Sequence, residues 1–414
     1  MTTEEKTTTT TVPLNLLFRN ENYCSDFPPD IGAHDFLKLY PRGGYTTMRT
    51  FHVHSVFEYN FHIHRLMYSQ SQVLFKSVGK CDLKEIEFAD EEKEEGFYPL
   101  AILYDFQKFK QICTNALNVG IKKYCDMTQI SLNDDTNEDI PNNNDNNNWK
   151  ELKLTILINC FRKKGDMTSD VPFIEETMES ITNCKYIGFD VYLHITEMEE
   201  LSQPISVDMM PGSRVHLANI KDSNWVLERD PLNKRKHKTC QEVLMCENDG
   251  IVREGISSNF FVISQHNHVM TAKEGILFGS VRAAIIPTKV QDVLHHSLEK
   301  DCDTILTQEG INYFEKNPNL SDLIEWKEAF ITSTSRLLLP IRTIHISKEC
   351  IDEILPKDKA REIQLSGRLT DSDDERFYTI HFEQTYQGEK LGLLLKNNLL
   401  SKKSERVVFC KDMI

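Results

Sequence analysis

The feature that most constrains the fold is a series of short β-forming runs between residues 242 and 272. The runs are rich in Val, Ile and Phe, and turn-forming segments at 248–250 and 266–268 separate them. A chain with this pattern folds as consecutive short strands rather than as helices. We predict strands at 242–246, 251–253, 259–264 and 269–272.

The first half of the chain combines strands with helices. Apolar residues recur at helical spacing over 62–78 and 99–124, whereas 45–61, 152–161 and 187–196 have the composition of strands. Helices in the first half and turn-punctuated strands in the second indicate an α+β protein with two unequal lobes. We predict a disordered tail at 1–30, a smaller N-terminal α/β lobe at 31–203, an interdomain linker at 204–214 and a larger, strand-rich C-terminal lobe at 215–414.

The net charge of −15 is confined to three short segments. Residues 82–95, 133–148 and 371–375 carry −6, −5 and −4, so the rest of the 414-residue chain is neutral overall. A neutral remainder offers no broad basic surface for nucleic acid. We interpret the three segments as solvated insertions, and 133–148 as a disordered one because it has too few apolar residues to pack.

The cysteines and the apolar runs bear on where the protein resides. Its eleven cysteines are odd in number and contain no C-x-x-C pair, so we expect reduced thiols in a cytoplasmic protein, without disulfides or a zinc site. No apolar run approaches the ~20 residues that cross a bilayer, and the N-terminus has no basic segment followed by an apolar run. We therefore expect no membrane contact and no targeting signal.

Two H-x-H pairs, at 52–54 and 62–64, invite a metal-site interpretation. On a strand such a pair places two imidazoles on one face. A metal site needs a third ligand, and no nearby Cys or acid lies at a spacing typical of metal ligands. We interpret these histidines as exposed strand and helix-start residues and predict no metal site.

Lys221 has an unusual setting for a lysine. Ile220 precedes it and Trp225 follows four residues later. Burial against such side chains would lower the lysine pKa and free the amine to act as a nucleophile. The alternative is a solvated surface lysine.

Three further segments carry groups suited to a charged ligand. Glu254 ends a predicted strand and could face a cationic group, or simply water. Gly279 and Ser280 precede a helical pattern, so backbone N–H groups there could bind phosphate, unless Ser280 is an ordinary N-cap. The hydroxyl-rich segment 332–335 could add donors to the same anion, or form a turn.

The order of these residues resembles that in the class IV, or fold type IV, pyridoxal-phosphate enzymes, which include branched-chain aminotransferases, D-amino-acid aminotransferases and aminodeoxychorismate lyase. The resemblance covers residues 43–340, and 242–282 is its most specific part. The matching motifs are H-x-x-R-L at 62–66, Lys221, E-G-x-x-x-N-F-F at 254–261, T-A at 271–272, L-x-G-x-x-R at 277–282, and F-x-x-x-T at 330–334 with Pro340 six residues further on.

The resemblance implies the cofactor pyridoxal 5′-phosphate and a role for each matched residue. Lys221 would form the Schiff base with the cofactor and move the substrate proton, and Glu254 would pair with the pyridinium nitrogen. The residues implied for the cofactor phosphate are Arg65, Ser280, Val281 and Thr334. Those implied for the substrate pocket are Tyr45, Thr47 and Arg49.

The chain departs from the branched-chain enzymes at 46–47, where Thr-Thr replaces their usual Glu-Gly. A Thr-Thr pair at this position resembles the sequence of the aminodeoxychorismate lyases, in which a hydroxyl assists elimination. The first hypothesis is an aminotransferase that moves an amino group from an amino acid to a 2-oxo acid by ping-pong half-reactions. The second is a lyase with the same cofactor, and the third is a non-catalytic protein that keeps the fold. The resemblance also implies a homodimer.

Overall fold

The computed structural model describes residues 14–78, 98–130, 150–163, 185–199, 201, 203–214, 218–286 and 304–408. Within these residues the chain forms two β-sheets, each with its own hydrophobic core. The α+β fold class predicted from the sequence is confirmed. The predicted insertions at 82–95 and 133–148 lie outside the described residues. No helix among the described residues is long and apolar enough to cross a membrane.

An antiparallel sheet forms the N-terminal lobe. Its strands are β1 (Asn15–Arg19), β2 (Asn22–Tyr23), β3 (Tyr45–Phe51), β4 (Ser55–Phe57), β5 (Tyr98–Pro99), β6 (Leu152–Lys163), β7 (Lys185–Glu197) and a strand from the end of the chain, β18 (Ser404–Arg406). They are ordered β18-β4-β3-β6-β7-β1-β2, and β5 pairs with β7. The strands predicted at 152–161 and 187–196, and residues 45–51 and 55–57 of the strand segment predicted at 45–61, therefore form the middle of this sheet. The prediction is wrong at 59–61, which begin the helix that follows.

Helices pack against both faces of this sheet. Ile63 and Leu117 of two helices share a core with Leu193 of β7, because their apolar residues recur on one face. The carboxylate of Asp105 accepts a hydrogen bond from the backbone N–H of Lys108, which fixes where the longest helix begins. The helices are α1 (Ala33–Leu39), α2 (Tyr59–Val78) and α3 (Phe106–Thr128), with a 3₁₀ turn at Leu100–Tyr104.

A larger mixed sheet forms the C-terminal lobe. Its strands are β8 (Ile205–Pro211), β9 (Glu242–Cys246), β10 (Val252–Gly255), β11 (Asn259–Ser264), β12 (Val269–Thr271), β13 (Tyr313–Phe314), β14 (Trp326–Ser333), β15 (Leu337–Ser347), β16 (Thr370–Asp371) and β17 (Phe377–His381). Strands β9 to β12 follow one another as the sequence predicted. β8 runs parallel to β9 and β15, β12 runs parallel to β13, and the other pairs are antiparallel.

Short helices surround the larger sheet. They are α4 (Asn224–Glu228), α5 (Asp230–Arg235), α6 (Ser280–Ile285), α7 (Ile305–Gln308), α8 (Lys357–Leu365) and α9 (Tyr386–Leu394), with a 3₁₀ turn at Leu320–Glu325 and π turns at Cys350–Ile354 and Leu395–Leu399. The helix predicted from Ser280 ends at Ile285. Residues 287–303 lie outside the described part of the chain.

The predicted disordered tail is wrong from residue 14 onward. β1 pairs antiparallel with β7, and its residues Leu16, Leu17 and Phe18 are each 1% exposed. Side chains on both faces of this strand enter hydrophobic cores, Leu16 and Phe18 on one side and Leu17 on the other. The burial of these three residues offsets the entropy lost in ordering the segment.

The predicted linker at 204–214 is also wrong, because β8 is a central strand of the larger sheet. Ile205, Val207 and Met209 alternate into its core, while Pro204 and Pro211 flank the strand's core-forming residues. Prolines at the ends of a strand do not interrupt its pairing, which explains the misleading turn signal.

The predicted large lobe at 215–414 does not remain a single unit, since β18 joins the N-terminal sheet beside β4. The acidic segment 371–375 begins in β16 and continues through the turn to β17, so it forms the tip of a hairpin. Its charges are therefore held next to the larger sheet.

Candidate active site

A cavity of about 600 Å³ is lined by residues of both lobes. β3 and α2 contribute residues from the N-terminal lobe, and β10, α6 and β14 contribute from the C-terminal lobe. The predicted site residues that line it are Tyr45, Thr47, Arg65, Lys221, Glu254, Val281 and Thr334. Residues far apart in the sequence are thus gathered around one space.

Lys221 is held where the two lobes meet. Its backbone C=O accepts a hydrogen bond from the N–H of Tyr45, and its own N–H donates to Ser69 Oγ, both at 2.9 Å. The amine Nζ lies 4.9 Å from the centre of the Tyr45 ring. Gly44 lets the start of β3 pack closely against α2, because a Cβ at this position would lie 2.6 Å from the backbone nitrogen of Gln70.

The surroundings of Lys221 disfavour a charged amine. Burial lowers its pKa well below the usual range, as its sequence setting predicted. Neighbouring cations lower the pKa further, namely Arg65, Arg229, Arg214 and Lys153. An uncharged amine can act as a nucleophile or accept a proton.

Arg65 is a buried cation at the wall of the cavity, 2% exposed. Its Nη1 donates to the carbonyl oxygen of Phe278 and its Nη2 to Thr46 Oγ1, both at 3.1 Å, while Nε has no hydrogen-bond partner. Burial lowers the pKa of Arg65 to about 10. Within the described part of the chain no carboxylate forms an ion pair with it. An anion in the cavity would supply the missing charge.

Glu254 is a buried acid, 3% exposed. Its Oε2 accepts a hydrogen bond from the N–H of Leu277 at 2.9 Å. Its Oε1 has no hydrogen-bond partner and lies 3.8 Å from Nη1 of Arg214. Burial raises the pKa of Glu254 to about 7, against the lowering effect of Arg214. The free oxygen is placed to accept a hydrogen bond from a ligand.

An anion-binding corner lies at the start of α6. No side chain caps this helix, so the first-turn N–H groups of Ser280 and Val281 remain available to a ligand. The hydroxyls of Ser280 and Thr334 lie 2.9 Å apart and face the same corner. A Cβ at Gly279 would collide with Oδ1 of Asn259, so a glycine is required here.

These features fit pyridoxal 5′-phosphate. Arg65 lacks a counter-anion, and the α6 corner offers N–H and hydroxyl donors, which suits a phosphate. Glu254 offers one free oxygen, which suits a protonated ring nitrogen. Lys221 offers an amine of lowered pKa, which suits an aldehyde.

Several cations of the cavity have no signal in the sequence. Arg214 lies 4.9 Å from the Trp225 ring and donates to the carbonyl oxygen of Ile220. Burial lowers the pKa of Lys153, on β6, to about 8. A single Lys or Arg is uninformative until the strands bring it to the cavity, which is why we did not predict these residues. The cations that the sequence missed are Lys153, Arg214, Arg229 and Arg336.

The two threonines of the Thr-Thr pair point in opposite directions, as expected on a strand. Thr47 lines the cavity, whereas Thr46 is fully buried and its Oγ1 lies 2.9 Å from Nδ1 of His62. Arg49 is on the same face of β3 as Thr47 but is not among the described residues that line the cavity, so its substrate role stays a prediction.

The interpretation of His62 as an exposed helix-start residue is wrong. The side chain is fully buried, and burial, with Arg65 and Lys221 nearby, holds its pKa well below the usual range. Its Nδ1 lies 3.1 Å from Nη2 of Arg65. A neutral imidazole therefore helps to orient the arginine. His64 instead stacks on Phe106, with ring centres 3.8 Å apart.

The fold and the site together define a two-lobed protein with a lysine of lowered pKa and a buried acid around an anion corner, which is the arrangement of a pyridoxal-phosphate enzyme. The sequence matches the model of the amino-transferase class IV family over residues 132–344, about half of the chain. The chain therefore belongs to the class IV aminotransferases, a family of pyridoxal-phosphate-dependent transaminases.

Solved structures of similar fold include branched-chain aminotransferases from Thermoproteus uzoniensis, with norvaline, and from Thermobaculum terrenum, in its pyridoxal-phosphate form. The first is 14% identical over 95% of this chain and 99% of its own, with a TM-score of 0.51. The second is 11% identical over 96% and 100%, with a TM-score of 0.51. A hypothetical aminotransferase from Mycobacterium tuberculosis, in its pyridoxal-phosphate-bound form, is 11% identical over 94% and 99%, with a TM-score of 0.51. Identities this low show a shared fold alone. No curated protein matches the sequence.

Proposed function

We propose that this transaminase moves an amino group from an amino acid to a 2-oxo acid in two ping-pong half-reactions, with Lys221 as the catalytic amine. The observation that carries the proposal is that Lys221 lines one cavity with Arg65 and Glu254, where burial and neighbouring cations lower the pKa of its amine. A surface lysine would be protonated at neutral pH and could not act in this way.

The cofactor would be held by residues of both lobes. Arg65 and the α6 corner, with Ser280, Val281 and Thr334, would bind its phosphate, and Glu254 would accept a hydrogen bond from its ring nitrogen. When bound, pyridoxal 5′-phosphate supplies an electron sink for the electrons left by a broken Cα–H bond. A proton shared with that nitrogen would keep the Glu254 carboxylate partnered in its buried position.

Lys221 Nζ is suited to move the substrate proton. Because its lowered pKa favours the uncharged form, the amine can accept the proton from Cα of the amino acid. Because Arg65, Arg214 and Lys153 surround it, the resulting ammonium is unfavourable and readily gives up the proton. One group can therefore take a proton from one atom and return it to another.

The remaining cations favour carboxylate-bearing substrates. Lys153, Arg229 and Arg336 line the cavity but are not needed for the phosphate. Arg229 donates to the carbonyl oxygen of Ile256 and forms no ion pair among the described residues, so it can attract an anion. We propose that Lys153 and Arg229 draw in the carboxylates of the amino acid and the 2-oxo acid, because Arg336 is already paired with Glu242, and that Tyr45 and Thr47 shape the pocket.

Transfer is favoured over elimination by the match to the aminotransferase family, and of the two threonines only Thr47 lines the cavity. Thr46, which could have supplied a catalytic hydroxyl, contacts His62 and Arg65 instead. A strict requirement for a 2-oxo acid acceptor during turnover would support transfer. Release of pyruvate without an acceptor would support elimination.

The central test is a Lys221→Ala substitution. The purified protein with pyridoxal phosphate should show a visible absorption band, and borohydride should fix the cofactor to the peptide that contains Lys221. The variant should lose the band, and turnover should fall by at least roughly 10²–10⁴-fold. Lys357→Ala, at an exposed lysine outside the cavity, is the matched control. An unchanged band in the Lys221 variant, or a borohydride adduct elsewhere, would overturn the proposal.

A homodimer and a cytoplasmic location complete the proposal. Both derive from the family resemblance and from the cysteine pattern. Light scattering of the purified protein would give its mass in solution, and a mass of one chain would argue against the dimer. Fractionation of cells would test the location.

A further inference from the structure

Three potential metal ligands meet at one end of the larger sheet, outside the residues that line the cavity. His237 and Cys240 lie between α5 and β9, and His345 lies on β15. One ligand atom from each falls within 4.8 Å of the other two. Cys240 is buried and both histidines are half-buried. We propose that this His-Cys-His cluster binds a zinc ion.

The donor set of the His-Cys-His cluster suits zinc. Two imidazole nitrogens and a thiolate are common zinc ligands, whereas Mg²⁺ and Ca²⁺ prefer oxygen. A tetrahedral ion with bonds of about 2.0–2.3 Å would separate its ligand atoms by roughly 3.5 Å. The cluster must therefore contract by only about 1 Å to close around an ion, which side-chain rotation can provide.

Hydroxyl groups orient both imidazole rings of the cluster. Nδ1 of His237 lies 2.7 Å from Thr239 Oγ1, and Nδ1 of His345 lies 3.1 Å from Thr379 Oγ1. For His345, a hydroxyl in this position can accept the Nδ1 proton when Nε2 binds an ion, whereas Nδ1 of His237 also accepts the backbone N–H of Thr239 at 3.3 Å. The His345 ring is thus supported as a ligand would be.

The buried carboxylate of Asp208 adjoins the His-Cys-His cluster and favours a cation there. Asp208 lies on β8 and is fully buried, and among the described residues no lysine or arginine forms an ion pair with it. Oδ1 of Asp208 lies 3.1 Å from Sγ of Cys240, and Oδ2 accepts the backbone N–H of His237. A divalent ion would compensate this buried charge and favour the thiolate beside it.

The acidic hairpin tip at 371–375 adjoins the same cluster. Ser372 Oγ lies 3.5 Å from Nδ1 of His345, which places the acidic segment beside the proposed ion. Negative charge next to a cation site raises the local concentration of cations. The acidic segment 371–375 would thus help to attract the ion to the cluster.

The proposed ion would be structural, because it joins a loop to the sheet. The loop that holds His237 and Cys240 leads directly to Glu242, which forms an ion pair with the cavity residue Arg336 at 2.5 Å. His345 and Asp208 belong to neighbouring strands, β15 and β8. Zinc would therefore fix the path of the chain between α5 and the cavity.

Zinc titration of the pyridoxal-phosphate-loaded protein tests the site. After treatment with a chelator, the protein should bind one Zn²⁺ per chain in competition with a chromophoric chelator. Cys240→Ser and His345→Gln should each weaken binding by at least about 10–100-fold. Cys24→Ser and His266→Gln, which lie outside the cluster, should bind as the unaltered protein does. Zn²⁺ should raise the melting temperature of the unaltered protein and not that of the cluster variants.

Cobalt gives a readout of the thiolate itself. Co²⁺ in place of zinc should show thiolate-to-metal charge-transfer absorption that Cys240→Ser abolishes. Circular dichroism and the visible cofactor band show whether each variant folds; if Cys240→Ser does not, His345→Gln and the cobalt spectrum decide. Failure of the unaltered protein to bind Zn²⁺, or equal binding by folded cluster variants, would overturn the proposal.

Discussion

Arg65 and Arg282 are both buried arginines, but their surroundings differ. Arg282 is fully buried in the C-terminal lobe, where its Nη2 contacts Glu315 Oε1 and the carbonyl oxygen of Ala272, each at 3.0 Å. Arg65 contacts a carbonyl, a hydroxyl and an imidazole, and no described carboxylate. A buried charge without a counter-charge is unfavourable. An anion in the cavity would therefore balance the charge of Arg65, whereas Glu315 already balances the charge of Arg282.

Two buried glutamates differ in how completely their carboxylate oxygens are hydrogen-bonded. Glu242 accepts hydrogen bonds from Arg336 and Ser257 at 2.5 Å and from its own chain at Val243, and although burial would raise its pKa, these partners lower it. Glu254 has one free oxygen, and burial raises its pKa to about 7. The carboxylate of Glu242, whose partners are all in the protein, stabilises the fold, whereas that of Glu254 can still accept a hydrogen bond from a ligand.

The largest expected effect is the difference in stability between the variants Arg282→Met and Arg65→Met. Arg282→Met leaves Glu315 without its partner and should lower the free energy of unfolding by about 3–5 kcal/mol. Arg65→Met removes an unpaired buried charge and should leave the cofactor-free protein nearly as stable as before. Urea denaturation of both variants measures the difference. An equal loss of stability in the two variants would show that the surroundings of Arg65 and Arg282 do not differ in this way.

The same Arg65→Met variant should lose cofactor affinity. Removal of one partner from a buried, hydrogen-bonded charge pair costs about 2–5 kcal/mol, so the dissociation constant of pyridoxal phosphate should rise roughly 30-fold or more. Titration of the visible band measures it. Affinity equal to that of the unaltered protein would remove Arg65 from the phosphate site.

A smaller effect should appear in the pH dependence of stability. The pKa of Glu254 is raised from 4.5 to about 7 in the folded protein, so the folded state holds the proton more tightly than the unfolded chain does. The free energy of unfolding of the cofactor-free protein should therefore fall as pH rises from about 4.5 to 7, by up to about 3 kcal/mol.

Glu254→Gln should remove that fall in stability, because an amide does not titrate. Glu274→Gln, at an exposed glutamate, should keep it. Unfolding curves in urea between pH 4.5 and 7.5 make the comparison. A pH profile of the Glu254 variant that matches the unaltered protein would show that this carboxyl is not the group responsible.

The smallest effects are expected at the Thr-Thr pair. Thr47→Val should raise KM by about tenfold or less, since one hydrogen bond is worth about 1 kcal/mol. Thr46→Val should instead weaken pyridoxal phosphate binding by a similar factor, because it removes a contact that orients Arg65. Steady-state kinetics and cofactor titration separate the two, and a larger KM effect at Thr46 would reverse the assignment.

Prediction from the sequence succeeded where the signal is local. The strands from 242 to 272 and the helix start at Ser280 follow from turn residues, β-branched residues and an adjacent glycine. It failed at β1 and β8, because the pairing of these strands depends on β7, β9 and β15, which are distant in the chain. A polar tail and a proline-flanked segment look like loops until such partners bury them.

The candidate site divides in the same way. The motif residues Lys221, Glu254 and Ser280 could be singled out because each has a distinctive neighbourhood in the sequence. Lys153, Arg214 and the role of His62 could not, since a cation or an imidazole gains its meaning only from what surrounds it. Electrostatic interactions act through space and leave no local pattern.

The sequence by itself determined the α+β class, the family and the order of the catalytic motifs, because these depend on residue types and short spacings. Only the tertiary structure decided that the pKa of the Lys221 amine is lowered, that one oxygen of Glu254 has no hydrogen-bond partner among the described residues, and that no described carboxylate pairs with Arg65. The physical reason is that charge and hydrogen-bond satisfaction depend on burial and on distances between residues that the fold alone brings together.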